Sequence, residues 1–419
     1  MKVISILLLL ISSLAPQSKK ATSNESIRVE TDKIYSELVV LRRDFHANPE
    51  LAGNESRTQE VIKRYLIDLG LEVKTNVYGY GVVGVLRGEK RGKTVAWRAD
   101  MDAMSTDFPD EEEFKSTMKG VQHGCGHDVH MAIALGIAEV LSKHKRNLKG
   151  TVYFIFQPEE ETFLGAKRMV DQGLFSEIRP TEIYGLHVTD LPVGKIMTKS
   201  NEVFAHQRKL RIEMKSDLSK GEAKVLTQNI QNLLARSKNN SMPWEIQHIS
   251  DTEKGLMNSN TIFNDYLIVD RFNTYSKNEK LVLEAYLYET DVTAIEDIVP
   301  KVKKLIENGK HKEELISVSF TQANPTVMND EKLTNAAISV LQGLSRDLVL
   351  PAYGQVPYFN DDFVYFQQQV PGVYFFLGGS NVDKGIVAMN HSPNFKVDEE
   401  CIRVGVSSFS SMLMKILHN

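Results

Sequence analysis

GTVYFIFQPEEE, residues 150–161, decides how this chain is built. Its apolar run over 150–156 reads as a strand, which breaks at Gln157-Pro158 into three consecutive glutamates. TVAWR at 94–98 repeats the design and runs out into Ala99-Asp-Met-Asp102, and IYGL at 183–186 runs out into His187. Segments with helical spacing, 131–143 and 165–173, separate these strands, and 372–377 is the clearest late strand. Strands alternating with helices in this way predict an α/β fold, a mainly parallel sheet covered by helices. Upstream, 34–48 and 55–70 read as amphipathic helices, and 71–77 and 81–86 as short strands. Gly79-Tyr-Gly-Val-Val-Gly84 matches a dinucleotide-binding pattern, but an apolar strand follows it where a helix is required, so no nucleotide site is assigned there.

From about Ser200 the character changes. Residues 209–214, 266–272 and 281–288 alternate as half-exposed strands do, and 220–236 and 291–308 read as helices. This is an α+β unit inserted in the larger domain. The expected organisation is a discontinuous body at 28–198 and 312–419, with the insert at 199–311.

Composition narrows the function. The 419 residues are 42% hydrophobic and 25% charged, ordinary for a globular chain. Fifty Lys and Arg against 54 Asp and Glu leave a net charge of -4, with no basic excess for nucleic acid. Two cysteines, Cys125 and Cys401, do not make a disulfide scaffold. Lys2 precedes an apolar run from Val3 to Ala15 and a polar exit. That run is too short for a bilayer span and has the form of a secretory signal over residues 1–22, with an N-terminal anchor as the alternative. The expectation is a secreted or periplasmic protein.

In open parallel sheets, ligands sit beyond the carboxyl ends of the strands. There the sequence collects Asp100, Asp102, Glu159, Glu160, Glu161 and His187, joined by QHGCGHD at 122–128 before a helix expected near Val129, and by NHSP at 390–393. Each has a bland reading: a lone cysteine is core filler, a lone histidine a satisfied polar group, a glutamate run a solvated face. Their recurrence at successive strand exits favours a site. The mixed donors suit zinc or manganese, with cobalt or nickel as further candidates. The number of acidic groups suits two divalent ions. Of two adjacent glutamates, one can bind metal while the other stays free as a general base.

These residues resemble the M20 metallopeptidase and aminoacylase family, in the branch that includes auxin-conjugate hydrolases and N-acyl amino acid deacylases. The likeness runs through LRRDFHANPEL (41–51), WRADMDAM (97–104), HGCGHDVHMA (123–132), GTVYFIFQPEEE, GLHVTDLPVG (185–194), DDFVYFQQQVPGVYFFLG (361–378) and NHSPNFKVDEE (390–400). It implies a zinc-peptidase-like catalytic domain with an inserted lid that dimerises the protein. It implies Cys125, His127, Glu161, His187 and His391 as ligands of a dinuclear centre, with Glu160 as general base. Asp102 then orients a ligand or the base, Asp100 supports, and Glu159 faces solvent. The implied reaction is hydrolysis of an amide bond in an N-acyl amino acid or short peptide. A catalytically silent relative that binds a ligand or metal is the alternative. The lid departs from the family: the glycine-histidine loop is missing after KLRIEMK (209–215), and the arginine expected in the later lid strand, at about Tyr288, is absent. His206 and His248 fall outside that loop, and Tyr286, Tyr288 and Trp244 hint at a more aromatic lid surface, with strand packing the expected use of both tyrosines.

Overall fold

The computed structural model describes residues 23–215, 218–238 and 241–418; the expected signal at 1–22 lies outside them. The large sheet has eight strands, ordered Glu72–Thr75, Val82–Arg87, Lys149–Gln157, Lys90–Asp100, Glu182–Pro192, Gly372–Ser380, Ile196–Met197 and Val349–Leu350. Its four central members, Lys149–Gln157, Lys90–Asp100, Glu182–Pro192 and Gly372–Ser380, run parallel. Both faces are covered, which explains why these strands read as unbroken apolar runs. On one face pack the helices Ser23–Ala47, His127–Lys143 and Glu400–His418, in a core containing Leu38, Leu135 and Phe409. His127–Lys143 is buried on nearly every side, so its sequence is apolar all round.

Two elements extend further than expected, and both shifts place site residues. The helix begins at His127 rather than near Val129, after Gly126 turns the chain at φ 95°. A Cβ there would lie 2.4 Å from Val188 Cγ1. The strand that leads to His187 does not end before it. It continues to Pro192 because Gly372–Ser380 pairs with it from Ile183 to Pro192, whereas Lys90–Asp100 stops pairing at Gly185. His187 therefore stands on an overhang with a neighbour on one side.

The insert is an antiparallel sheet ordered Arg236–Ser237, Tyr266–Val269, Lys280–Glu289, His206–Lys215 and Leu315–Gln322, with Asn273–Lys277 also pairing Lys280–Glu289. Helices Lys220–Leu234 and Ile298–Glu307 cover it around Leu226, Ile230, Leu283 and Val302. The expected boundary at 311 is corrected. Leu315–Gln322 alternates in burial and pairs with His206–Lys215, so the insert closes after Gln322. Ser219 caps the helix that starts at Lys220, in a reciprocal capping box with Glu222.

The segment between Leu350 and Phe363 threads between the two bodies. Tyr353 N–H donates to Leu256 C=O (2.8 Å), Gln355 N–H to Phe263 C=O (2.9 Å) and Val356 N–H to Val203 C=O (3.1 Å), while Ala205 N–H donates to Val356 C=O (3.0 Å).

Candidate metal centre

Every side chain implied as a ligand converges on one point. Cys125 Sγ lies 3.2 Å from His187 Nε2 and 3.0 Å from His391 Nε2. Glu161 Oε1 is 3.4 Å from His391 Nε2 and 4.0 Å from His127 Nε2. Two compact donor sets result, Cys125–His127–His187 and Cys125–Glu161–His391, with Cys125 common to both. Glu160 Oε2 reaches to 3.7 Å of His127 Nε2, joining the cluster from the side.

The imidazoles are fixed with their free lone pairs inward. His127 Nδ1 meets the Asp102 carbonyl at 2.8 Å, and His187 Nδ1 meets the Val188 carbonyl at 2.8 Å. Each Nδ1–H donates outward, so each Nε2 is left as a ligand atom. The Val188 N–H in turn donates to His130 Nε2 (2.9 Å), and His130 Nδ1 stands 2.6 Å from Asp100. Asn390 Nδ2 donates to the carbonyls of Cys125 and Val188, tying the cysteine loop to the histidine strand.

The arrangement fits divalent cations. His127 Nε2 is buried without a hydrogen-bond partner among the described residues, which is costly unless a ligand satisfies it. The negative field of Cys125, with Glu161 beyond it, pushes His391 up to about 11, so the cluster demands positive charge. Cys125 as a thiolate ligand should resist alkylation while metal is bound and react after chelation. Cys401, packed in the core with its thiol raised by burial, should stay inert in both states. Mass spectrometry of iodoacetamide-treated protein checks this; equal labelling of Cys125 with and without chelator would rule out ligation.

The Glu159–Glu160–Glu161 turn is clamped from behind through its backbone. Glu160 N–H and Glu161 N–H each donate to Asp102 at 3.0 Å, and Glu159 N–H donates to Glu55 at 3.0 Å. Asp102 thus acts on both glutamates at once. Glu55, which nothing in the sequence singled out, completes the clamp; burial raises it to about 7. Glu55→Ala should weaken metal retention about 10–100-fold, as loss of an outer partner does. Glu55→Gln keeps the acceptor oxygen and should retain its metal in the same competition with a chelator. Matching losses in both variants would mean the clamp is not the cause.

Glu159 is corrected. It is not solvent-facing: its backbone is left-handed (φ 59°), and its carboxylate accepts from Tyr78 Oη (2.9 Å) and pairs with Arg168 (2.8 Å). The left-handed turn sends it away from its two neighbours.

Behind Glu160 lies a buried charge network the sequence did not reveal. Arg98 donates to Asp100 (2.5 Å), Asp361 (3.0 Å), Asp362 (3.2 Å) and Gln157 (2.8 Å). Tyr374 Oη also donates to Asp361, at 2.6 Å. Burial, with Asp361 and Glu161 nearby, raises Glu160 well above the usual carboxylate range.

In front of the cluster is a cavity of about 380 Å³. Phe163, Leu191, Phe204 and Phe376 line it from the body and Ile246, Ile249 and Leu256 from the insert. No Lys or Arg lines it among the described residues. His206 is buried with its Nε2 3.9 Å from Glu202, and His248 pairs with Glu245 (3.5 Å); neither lines the cavity. Both tyrosines sit on the strand Lys280–Glu289, Tyr288 buried and Tyr286 under Lys209, in line with the strand packing expected of them, and Trp244 is exposed away from the cavity.

Known proteins share this organisation along nearly its whole length. Thermostable carboxypeptidase 2 of Saccharolobus solfataricus is 30% identical over 409 residues, covering 93% of this chain and 98% of its own. An IAA-amino acid hydrolase of Arabidopsis thaliana is 30% identical over 396 residues, covering 91% and 86%. Among solved structures, a dinuclear metal-binding M20 peptidase of Bacillus subtilis superimposes with a TM-score of 0.74 at 25% identity, covering 92% of this chain and 99% of that one. The sequence profile of peptidase family M20/M25/M40 matches residues 96–415, from the strand that carries Arg98 to the last helix. The chain belongs to that family.

Proposed function

We propose that the chain is an exported, metal-dependent hydrolase that cleaves an amide bond in N-acyl amino acids or short peptides. One observation carries this reading: two ligand-type donor sets share Cys125 beside a buried Glu160, on the wall of an apolar cavity. The relatives' names span the two substrate alternatives, a carboxypeptidase and an amino acid conjugate hydrolase.

Divalent cations held by Cys125, His127, Glu161, His187 and His391 would supply Lewis-acid polarisation of the substrate carbonyl and of water. Glu160 takes the proton of the attacking water on a carboxylate oxygen and returns it to the leaving amine nitrogen. Its raised pKa suits a group that must hold that proton between two steps. Asp102 and Glu55 keep Glu160 and Glu161 in register by holding their backbone. Loss of one neutral donor to the developing oxyanion costs about 3 kcal/mol, so turnover can persist without the missing lid histidine.

Export is proposed from Lys2 and the apolar run at 3–15. No helix among the described residues is long and apolar enough to cross a membrane. N-terminal sequencing of protein recovered outside the cytoplasm tests it; a chain starting at Met1 there would refute cleavage. The function is tested by metal analysis coupled to a panel of N-acetyl and N-benzoyl amino acids and dipeptides. A fully metal-loaded protein that cleaves none of them would favour a binding role instead.

A further inference from the structure

Five neutral side chains that can donate a hydrogen bond line the cavity outside the carboxylate–imidazole cluster: Thr189, Tyr358, Asn360, Tyr374 and Asn390. Four are engaged by the protein. Thr189 Oγ1 donates to Asp190 (3.3 Å), Asn360 Nδ2 to the Pro325 carbonyl (2.8 Å), and Tyr374 Oη to Asp361 (2.6 Å). Asn390 Nδ2 is spent on the Cys125 and Val188 carbonyls. The Tyr358 hydroxyl has no hydrogen-bond partner among the described residues.

Tyr358 is also held at a cost. Its φ is 67°, in the left-handed region where a residue other than glycine loses about 1–2 kcal/mol. Two residues upstream, Val356 is bonded to both Val203 and Ala205, so the turn cannot relax freely. The ring meets Tyr288 edge-to-face with centroids 4.6 Å apart. Burial raises Tyr358 to about 12, so its hydroxyl keeps its proton through the neutral range.

We infer that Tyr358 is a specificity-determining residue whose hydroxyl donates to a substrate oxygen remote from the scissile bond, whether that oxygen belongs to a carboxylate or a carboxamide. The inference rests on the amidohydrolase reading above. Tyr358 lines the same cavity as the cluster but is braced on the insert strand Lys280–Glu289 through Tyr288, and it makes no hydrogen bond to the cluster among the described residues. A neutral hydroxyl in a cavity lined by no cation discriminates weakly between a charged and an uncharged acceptor, unlike a bidentate arginine.

The test uses the metal-loaded enzyme and Tyr358→Phe on three substrates: an N-benzoyl amino acid, its carboxamide, and an N-benzoyl alkylamine of equal length. The wild type should cleave the first two within a few-fold of each other. The variant should lose about 10-fold in kcat/KM on both and less than about two-fold on the alkylamine, with metal content and Tm unchanged. An equal loss on all three would place the hydroxyl at the reacting carbonyl, and no loss on any would reduce Tyr358 to packing; either overturns the inference. A wild-type penalty of about 100-fold or more for the carboxamide overturns it too, since that requires a carboxylate clamp. If the wild type cleaves none of the three, the functional reading fails and calorimetry of N-benzoyl amino acid binding takes over. A Kd raised about 10-fold in Tyr358→Phe then supports the contact, and an unchanged Kd removes it.

Discussion

Glu160→Gln should purify with roughly the wild-type metal content and hydrolyse its amide substrate about 10²–10⁴-fold more slowly. The side chain is isosteric and its N–H still donates to Asp102, so the turn and Glu161 stay in place. What is lost is a site for the proton. Glu161→Gln should do the opposite and lose metal, because Glu161 faces both His127 and His391. Metal analysis and single-turnover rates on the two variants separate these outcomes. A metal-free Glu160→Gln beside a metal-replete Glu161→Gln would exchange their roles.

Arg98→Met should be strongly destabilising. The guanidinium is fully buried and serves Asp100, Asp361 and Asp362, which lie on two separate parts of the chain. Removing one partner of a buried ion pair strands the others, at a cost of about 3–5 kcal/mol. Burial already pushes Asp362 up to about 8 with Arg98 present. Without the cation these carboxyls must take up protons or admit water. For a protein of this size the loss corresponds to a fall in Tm of about 5–15 °C. Arg98→Lys should recover part of it, since a point charge cannot serve three carboxylates in fixed directions. Calorimetry of the three proteins decides, and a fall of under about 2 °C in Arg98→Met would mean that the network contributes little.

The central strands were legible because a strand buried on both faces is mostly apolar, as GTVYFIF and TVAW before Arg98 are. Residues at their exits were legible because a parallel sheet gathers its strand ends at one edge. LISVSFTQ at 315–322 was harder: its alternation marks a half-exposed strand, but nothing in it names His206–Lys215, about a hundred residues earlier, as the partner. Residues that act through other residues were the least legible. Charged side chains default to the surface, so nothing in the sequence marks Asp361 and Asp362 as buried partners of an arginine. The one sequence signal was Arg98 itself, a charge at the end of an apolar run. Glu55 and Glu159 left no such signal, since one works through a backbone N–H and the other is displaced by a left-handed φ.

The segment between Leu350 and Phe363 changes how the insert is mounted. A domain joined to its parent by two chain crossings, here near Ala205 and after Gln322, can swing about the line between them like a door. This one has a third attachment, because the segment is hydrogen-bonded to Leu256 and Phe263 on one side and to Val203 and Ala205 on the other. Swinging the insert would have to break the Tyr353–Leu256 and Gln355–Phe263 bonds. Since Leu256 also lines the cavity, the clasp that restrains the insert is continuous with the wall that faces the cluster.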